Sequence, residues 1–294
     1  MTLPPSFARD GFVSPQNMRG KIQLKNGQTL KGLLIGTEGM SDTGKTEFAL
    51  SCPGNIQMIC VDRNYSAVFD NPAPPPTRND RVAIKVIEVP MNGTAKIPDY
   101  QKYYTAVRDS FYGALANSES QVVVMDGDSD FWELHILAHF GKNTQIYPAT
   151  RYAAPYAEKR AQITKAFDSG KIVICTNKVR DEYETAMNDD GTPKKDPVTG
   201  DDLKVKTGEK RRQGFNDQDY LFSMQLRHLY KPAHIAKIRG KDVEVPQQWG
   251  LRVLKCKHNM AMIGEELWGD DCNFRGLVSL VYPDVDPRRW GFDE

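Results

Sequence analysis

Short apolar runs alternate with amphipathic stretches along this chain, and the alternation predicts its secondary structure. Apolar runs at 33–35, 56–62, 82–89, 121–126 and 171–176 predict buried strands, and alternating runs at 220–229 and 249–255 predict two more. Helical periodicity predicts one helix that starts at 47 and two more helices at 99–116 and 157–168. Strands that alternate with helices predict an α/β fold, with a mostly parallel sheet and helices on both faces.

The chain divides into one large predicted domain with short extensions. The sequence predicts an N-terminal arm and a hairpin at 1–29, with the hairpin turn at Asn26-Gly27, and a C-terminal tail at 286–294. Residues 30–285 form the domain, at a length that can bury a sizeable core. Within it, 185–214 is rich in Asp, Gly, Pro and Lys and poor in apolar residues, which predicts a long flexible loop or hairpin.

One octapeptide carries the strongest chemical signal. The glycine loop, residues 39–46, matches the phosphate-binding pattern GxxxxGK[ST] and lies between a predicted strand and a predicted helix. In this pattern glycines allow backbone N–H groups to wrap a phosphate, a lysine adds positive charge, and a hydroxyl ligates Mg²⁺. We therefore expect ATP and Mg²⁺ to bind at Gly39, Met40, Ser41, Asp42, Thr43, Gly44, Lys45 and Thr46.

A second nucleotide-site element follows about 80 residues later. The apolar run 121–125 ends in Asp126, and a carboxylate at this position can hold Mg²⁺ opposite the loop hydroxyl. The pattern is common in buried strands, but its pairing with the glycine loop makes it specific. Thr46 and Asp126 are accordingly the predicted metal-side residues.

Other polar residues near predicted strand ends are candidates for catalysis. Glu133 and Asp62 are the first choices for a general base, ahead of Asp128, which could equally cap a helix. Asn177 follows the strand at 171–176 and could reach the γ-phosphate, although a simple strand-end turn explains it as well.

Two basic segments suggest contacts outside the nucleotide site. The run at 204–212 could meet the phosphates of single-stranded DNA, or could be only a solvated loop. Its cations are Lys204, Lys206, Lys210, Arg211 and Arg212. Lys255 and Lys257 end another predicted strand, where they could complete a neighbouring subunit's site or simply be solvated.

Composition and charge bear on the partners and the cellular compartment of the protein. The net charge of +1 gives no global attraction to nucleic acid or membrane. Five scattered cysteines without a CxxC pair, no apolar leader and no membrane-length apolar run predict a cytoplasmic protein. His135 and His139 lie one turn apart, but no third ligand is evident from the sequence, so a metal site is not expected there.

Several segments together resemble the phage-encoded RecA-like P-loop ATPases, some of which act with single-strand annealing in phage recombination. Beyond the glycine loop, the resemblance rests on VVVMDGDSDFWEL, IYPATRYAAPYAEKR, NKVRDEY, GEKRRQGF and LKCKHN, and spans about residues 30 to 285. It implies a RecA-like core, ATP with Mg²⁺, a homo-oligomeric ring or filament, and DNA metabolism in the host bacterial cytoplasm. It also places a DNA-binding loop at 178–214, a polar sensor at Asn177 and a cross-interface basic pair at Lys255 and Lys257.

The chain departs from this family at one position. RecA-like recombinases carry a catalytic Glu in an Asp-x-Glu arrangement after the second strand, whereas this chain has Asp62-Arg63-Asn64. An asparagine can orient water but cannot take its proton. We therefore expect ATP hydrolysis to be slow, or to use Glu133 as the general base.

Three functions remain open from the sequence. The first is an ATPase that acts on DNA in recombination or replication. The second is a nucleotide-dependent assembly or binding module with little hydrolysis. The third is a small-molecule kinase of the P-loop class. The sequence shows no arginine-rich lid, which argues against this third function.

Overall fold

A computed structural model describes residues 32–61, 77–90, 95–141, 149–238 and 241–292. The described strands are β1 (Leu33–Gly39), β2 (Ile56–Cys60), β3 (Val82–Val86), β4 (Val122–Asp126), β5 (Ile172–Thr185), β6 (Lys204–Arg212), β7 (Met224–Lys231), β8 (His234–Ile238), β9 (Lys241–Val245), β10 (Gln248–Cys256) and β11 (Glu266–Trp268). The described α-helices are α1 (Lys45–Leu50), α2 (Ile97–Ala116), α3 (Asp128–Phe140), α4 (Ala153–Asp168), α5 (Gln218–Leu221) and α6 (Phe274–Val281). Short 3₁₀ helices cover Ala149–Tyr152, Met260–Met262, Gly269–Asp271 and Pro287–Trp290.

Nine of the strands form one central sheet in the order β11-β10-β7-β1-β5-β4-β2-β3, with β6 paired to the outer part of β5. The six strands from β7 to β3 in this order are parallel, and β10 and β6 are antiparallel to their partners β7 and β5. β5 therefore lies between β1, which leads into the glycine loop, and β4, which ends at Asp126. The predicted α/β class and mostly parallel sheet are confirmed.

Helices cover both faces of this sheet and enclose two apolar cores. On one face, side chains of β1, β2 and β4 pack with α1 and α6, as at Phe48 and Phe274. On the other face, α2, α3 and α4 pack on the alternate side chains of the same strands, with Tyr104 and Phe131 among them. Because both faces are covered, the strands are apolar throughout and do not alternate between apolar and polar residues. These apolar runs are the pattern from which the strands were predicted.

A β-ribbon replaces the predicted flexible loop. β5 does not end at 176 but continues to Thr185, and β6 returns antiparallel to it. The ribbon, residues 178–212, is completed by a turn region held by isolated bridges between Met187 and Pro193 and between Lys195 and Asp202. Of the two alternatives for 185–214, the hairpin is correct. A second hairpin, β8 with β9, connects β7 to β10.

Other boundaries differ from the prediction in smaller ways. The helix expected at 157–168 begins at Ala153, and the strand expected at 220–229 is a short helix, α5, followed by β7. A proline in the first turn of α4 and the aromatic residues within 220–222 obscured the helical periodicity of these two segments in the sequence. The N-terminal arm and its Asn26-Gly27 turn, and Asp62 with Arg63 and Asn64, lie outside the described residues.

The described helices are all too short or too polar to cross a membrane.

Candidate active site at the carboxyl edge of the sheet

The glycine loop joins the end of β1 to the start of α1 in a tight backbone path. Gly44 has a φ of +86° and Asp42 a φ of +60°. A Cβ at Gly39 would lie 2.6 Å from the Oγ1 of Thr43, so only glycine fits beneath the turn. The Thr43 hydroxyl closes the turn by donating to the carbonyl of Met40 at 2.9 Å. The loop is thus folded by its own residues into a compact concave backbone.

Lys45 folds back over this loop. Its Nζ atom donates to the carbonyl oxygens of Gly39 at 3.0 Å and Met40 at 2.5 Å. The ammonium group is therefore held against the glycine loop, where its charge and the backbone N–H groups could both act on a bound phosphate.

The two predicted nucleotide motifs meet at Thr46 and Asp126. The Thr46 hydroxyl lies 3.2 Å and 3.3 Å from the two carboxylate oxygens of Asp126. Asp126 is buried, and it accepts a second hydrogen bond, of 2.7 Å, from the hydroxyl of Thr176, which itself accepts from the Gly127 N–H at 2.8 Å. Oxygen ligands about 3 Å apart can share one octahedral Mg²⁺ ion, whose bonds are about 2.1 Å long. The structure thus brings the two predicted metal-side residues together.

Of the candidate bases, Asp128 is engaged elsewhere. Its carboxylate is buried and pairs with the Nζ of Lys159 at 2.5 Å, on the face of the sheet covered by α2, α3 and α4. Asp128 is also the first residue of α3 rather than its cap, which is Gly127. Glu133 lies half-buried on α3, one turn beyond Asp130, whose carboxylate pairs with Lys178 at 2.8 Å. Asp62 falls outside the described residues.

Asn177 follows Thr176 in β5, the strand between β1 and β4, which carry the two motifs. It is buried in β5, in register with Glu38 of β1, and its neighbour Thr176 binds Asp126. The hydroxyl of Ser129 lies 3.5 Å from its Oδ1 atom and donates to the Gln213 carbonyl at 2.8 Å. Side chains alternate along a strand, so Asn177 lies on the opposite face of the sheet from Thr176, beside Ser129 of α3. It also lies within β5 rather than at its end, because β5 continues to Thr185.

The sequence analysis missed a buried acid directly before the glycine loop. Glu38 is 3% exposed, and Arg227 of β7 donates to it from Nε at 2.8 Å and Nη2 at 2.5 Å. The Nε of Arg212 lies 3.8 Å from the other oxygen. Burial raises the pKa of Glu38, while hydrogen bonding and charge from Arg227, and then charge from Arg212, oppose the rise. The available signal was a lone acid within an otherwise apolar buried strand.

This ion pair also connects the glycine loop to the ribbon. Arg227 Nη2 donates to the backbone carbonyl of Lys210 in β6 at 2.9 Å. Arg212 pairs with Asp219 at 3.1 Å and with the side chain of Gln218. One buried charge network therefore fixes the base of the ribbon against the strand that leads into the glycine loop.

His228 and Trp249 support the glycine loop from beneath and beside it. The buried His228 ring lies 3.2 Å from the Thr43 carbonyl through Nδ1 and meets Phe48 edge-on at 5.6 Å. Burial, with a smaller contribution from the charge of Lys45, lowers the pKa of His228 to about 3. Trp249 donates from its indole nitrogen to the Asp42 carbonyl at 3.3 Å. The loop conformation thus depends on strands β7 and β10 as well as on its own residues.

The pKa of His228 predicts an acid sensitivity of the fold. Because its pKa is lower in the folded state than the ordinary value of about 6.5, the unfolded chain binds the proton more readily, and stability falls as the pH drops below about 6.5. In His228→Gln the free energy of unfolding should depend less steeply on pH between about 6.5 and 4, by up to about 1.4 kcal/mol per pH unit. Urea unfolding across this range measures the slope. The exposed His234→Gln is the control, and equal slopes in both variants would contradict the assignment.

The five cations of the predicted DNA loop do not share one environment. Arg212 is buried in the network with Glu38, so it is not available to a nucleic acid. Lys206 and Lys210 both pair with Asp181 across the ribbon, Lys206 at 2.6 Å. Lys204 donates to the hydroxyl of Thr185. Arg211 is exposed. The run is therefore not an isolated basic patch, because β5 brings acids against it.

The ribbon instead places two arginines opposite one another. Arg180 of β5 and Arg211 of β6 are direct cross-strand partners, both exposed. They line a cavity of about 540 Å³, whose other lining residues are Met40 of the glycine loop, Val179, Asp181, Glu182, Tyr183 and Lys210. Like charges at directly opposite positions destabilise a β-ladder, so this pair gains from an anion bound between or beside the two guanidinium groups.

Lys255 and Lys257 lie at the other edge of the sheet. Cys256 is in register with Met224 at the start of β7, whereas the glycine loop follows the carboxyl ends of the parallel strands. Lys257 donates to the Leu221 carbonyl at 3.1 Å, and Lys255 to the Phe222 carbonyl at 3.2 Å. This position separates the two lysines from the glycine loop of their own chain.

Comparison with known proteins does not assign this chain to a family. Neither the family models nor the curated proteins searched give a match.

Proposed function

We propose that this protein binds ATP with Mg²⁺ at the glycine loop and hydrolyses it, with a RecA-like P-loop core, and that it acts on DNA in phage recombination or replication. The observation that carries the proposal is the position of Thr46 within 3.3 Å of both oxygens of Asp126. These residues are 80 positions apart, and each occupies the metal-side place of its own motif. A chance glycine-rich turn would not require a buried carboxylate opposite its terminal hydroxyl.

The arrangement of strands supports this function further. With β5 between β1 and β4, the hydroxyl of Thr176 in β5 donates to Asp126 beside Thr46. For Asn177, next to Thr176, we propose the role that the family resemblance implies, which is to orient a water or to contact a γ-phosphate. Glu133 is the remaining described candidate for a general base, because Asp128 is neutralised by Lys159.

The proposed metal role of Asp126 predicts a separation between binding and turnover. Replacing Asp126 with Asn keeps the size of the side chain but removes its charge, so Mg²⁺ would be held less firmly in the transition state. ATP affinity should fall less than about tenfold, while the turnover rate falls by about ten- to a hundredfold. Calorimetric binding and phosphate release, each over a range of Mg²⁺ concentrations, measure the two effects.

Asp109→Asn on the exposed face of α2 is the matched control for that experiment, since it removes the same charge far from the loop. An unchanged Mg²⁺ dependence in Asp126→Asn would remove Asp126 from the proposed site.

The two alternative functions make different predictions for turnover. An assembly or binding module would bind ATP and change its assembly size without appreciable phosphate release. A small-molecule kinase would release ADP only with an acceptor, whereas the proposed ATPase releases it with water and faster with single-stranded DNA. Turnover with and without single-stranded DNA, measured together with assembly size, separates the three.

The ribbon supports a single-stranded DNA partner through one cation of the basic run, Arg211, together with two residues of β5. Arg180 and Arg211 supply adjacent exposed charges, and Tyr183, which is 54% exposed, supplies an aromatic face nearby. Cations that follow a phosphate backbone and aromatic rings on which bases stack are the two elements of sequence-independent single-strand binding. We therefore place the DNA contact on this part of the ribbon.

Removing the arginine pair tests that placement. In Arg180→Gln/Arg211→Gln, affinity for single-stranded DNA should fall regardless of sequence, and the slope of log affinity against log salt should flatten by about 1.4, at about 0.7 per lost phosphate contact. Fluorescence anisotropy of a labelled oligonucleotide over a salt series measures both quantities. Lys85→Gln/Lys102→Gln removes the same charge from exposed positions on β3 and α2 as a control. Equal slopes in the two double variants would place any DNA surface elsewhere.

The same proposal includes assembly into a ring or filament of identical subunits. Lys255 and Lys257 lie away from the glycine loop of their own chain, and in this assembly we assign them to a neighbouring subunit's nucleotide.

A further inference from the structure

A second cluster of ligating side chains lies between α3 and α4, away from the glycine loop. His135 and His139 are one turn apart on α3, and Glu158 projects from the facing helix α4. The Nε2 of His135 lies 3.1 Å from one carboxylate oxygen of Glu158, and the Nε2 of His139 lies 3.6 Å from the other. The sequence showed the two histidines but not the third residue, because Glu158 comes from another helix.

The spacing of these atoms fits one metal ion. The three ligand atoms all lie within 4.8 Å of one another. A tetrahedral zinc ion with bonds of about 2.0–2.1 Å holds its ligands about 3.3 Å apart, close to the two histidine–carboxylate distances here. Two imidazoles and one carboxylate are also a donor set that zinc accepts, with a fourth position left for water or another ligand.

The surroundings hold these side chains in place. The His135 ring stacks on Tyr104 at 4.3 Å and meets the edge of Trp132 at 5.6 Å. The Tyr104 hydroxyl donates to Glu158 at 3.0 Å and accepts from the Gln162 amide at 2.8 Å. Ring orientation is therefore fixed by aromatic packing, and the carboxylate by a chain of hydrogen bonds, before any ion arrives.

The charges and the exposure around the cluster also suit a metal. The nearby Lys159 ammonium is neutralised by Asp128. His139 and Glu158 retain exposed side-chain fractions of 29% and 47%, which leaves a path for an ion to enter from solvent.

We propose that His135, His139 and Glu158 form a binding site for Zn²⁺, or for a divalent transition metal with the same ligand preference, that fastens α3 to α4. Nitrogen donors distinguish this site from the oxygen pair at Thr46 and Asp126, since Mg²⁺ takes oxygen ligands and transition metals favour imidazole. α3 begins directly after Asp126 and Gly127, so a metal here would stabilise the helix that follows the proposed magnesium ligand.

Titration of the metal-free full-length protein with zinc chloride tests this proposal. The experiment uses no nucleotide and contains millimolar Mg²⁺, so that its outcome is independent of ATP binding and of Thr46 with Asp126. We expect one Zn²⁺ per chain by calorimetry, a melting temperature that rises with Zn²⁺ concentration, and at least about tenfold weaker binding in both His139→Ala and Glu158→Gln. His234→Ala, which removes an exposed histidine on β8, should bind as the parent does.

Cobalt substitution reports the identity of the ligands. Co²⁺ should give the visible absorption of a four-coordinate nitrogen and oxygen site without a thiolate charge-transfer band, which would instead indicate the half-buried Cys272. Substitution of His135 is left out of the test because its ring is part of the core. The proposal is overturned if the parent binds no Zn²⁺, if His139→Ala and Glu158→Gln bind it as tightly as the parent, or if the cobalt spectrum shows thiolate ligation.

Discussion

Replacing Lys45 with alanine should weaken ATP binding by two to three orders of magnitude and leave the fold intact. The Nζ atom of Lys45 donates to the backbone carbonyls of Gly39 and Met40 in the glycine loop, which lies outside the two apolar cores. In the proposed complex its charge faces the β- and γ-phosphates, and deletion of one partner of such a charge pair costs about 3–4 kcal/mol. Calorimetry with ATP and Mg²⁺ measures the affinity, and thermal unfolding checks the fold.

Lys102→Ala is the matched control for this experiment, because it removes an exposed lysine from α2 on the covering layer of the sheet. Its ATP affinity should equal that of the parent. If Lys45→Ala also bound ATP as the parent does, the glycine loop would not be a phosphate site.

Replacing Arg227 with methionine should destabilise the protein by about 3–5 kcal/mol. The substitution leaves the Glu38 carboxylate buried beside the glycine loop without its bidentate partner, and an uncompensated buried charge carries a cost of this size. The Arg212 guanidinium, 3.8 Å away, replaces only part of the lost interaction. Urea unfolding measures the change in the free energy of unfolding.

Protonation and a second substitution should both reduce this cost. Without Arg227, the pKa of Glu38 in the folded state rises further above its unfolded value, so the folded chain takes up a proton and regains stability as the pH falls, losing it again as the pH rises. Glu38→Gln/Arg227→Met should for the same reason be more stable than Arg227→Met at neutral pH. A loss below about 1 kcal/mol in Arg227→Met, or no recovery in the double variant, would show that the pair is not a buried charge pair in solution.

The residues that could be predicted were those whose signal is local. The run 121–126 is apolar and then acidic, so both β4 and the position of Asp126 followed from it, and the spacing in α2 predicted the buried face that includes Tyr104 and Phe111. The glycine loop was readable because its backbone path demands glycine at fixed places, as at Gly44. Such features depend on neighbours within a few residues.

The features that sequence reasoning missed depend on partners far along the chain. Glu38 and Arg227 are 189 positions apart, and nothing near either residue indicates the other. Arg212 was grouped with exposed cations because it follows Lys210 and Arg211, although the pleat turns it toward Glu38 while Arg211 faces outward. For 185–214 the sequence left a loop and a hairpin as alternatives, since strands that are exposed on both faces show no apolar alternation.

The histidine cluster illustrates the same limit. The one-turn spacing of His135 and His139 was visible, but Glu158 lies 23 positions from His135 and reaches it only when α4 packs on α3. A pair of histidines without its third partner gives no reason to expect a metal.

The most direct test of the central proposal is the calorimetric titration of ATP into the full-length protein with and without added Mg²⁺. Binding of Mg²⁺–ATP at Thr46, Asp126 and the glycine loop predicts one site per chain, with an affinity that falls markedly when Mg²⁺ is omitted. Failure of ATP to bind at any Mg²⁺ concentration, or an affinity that is the same with and without the ion, would contradict it.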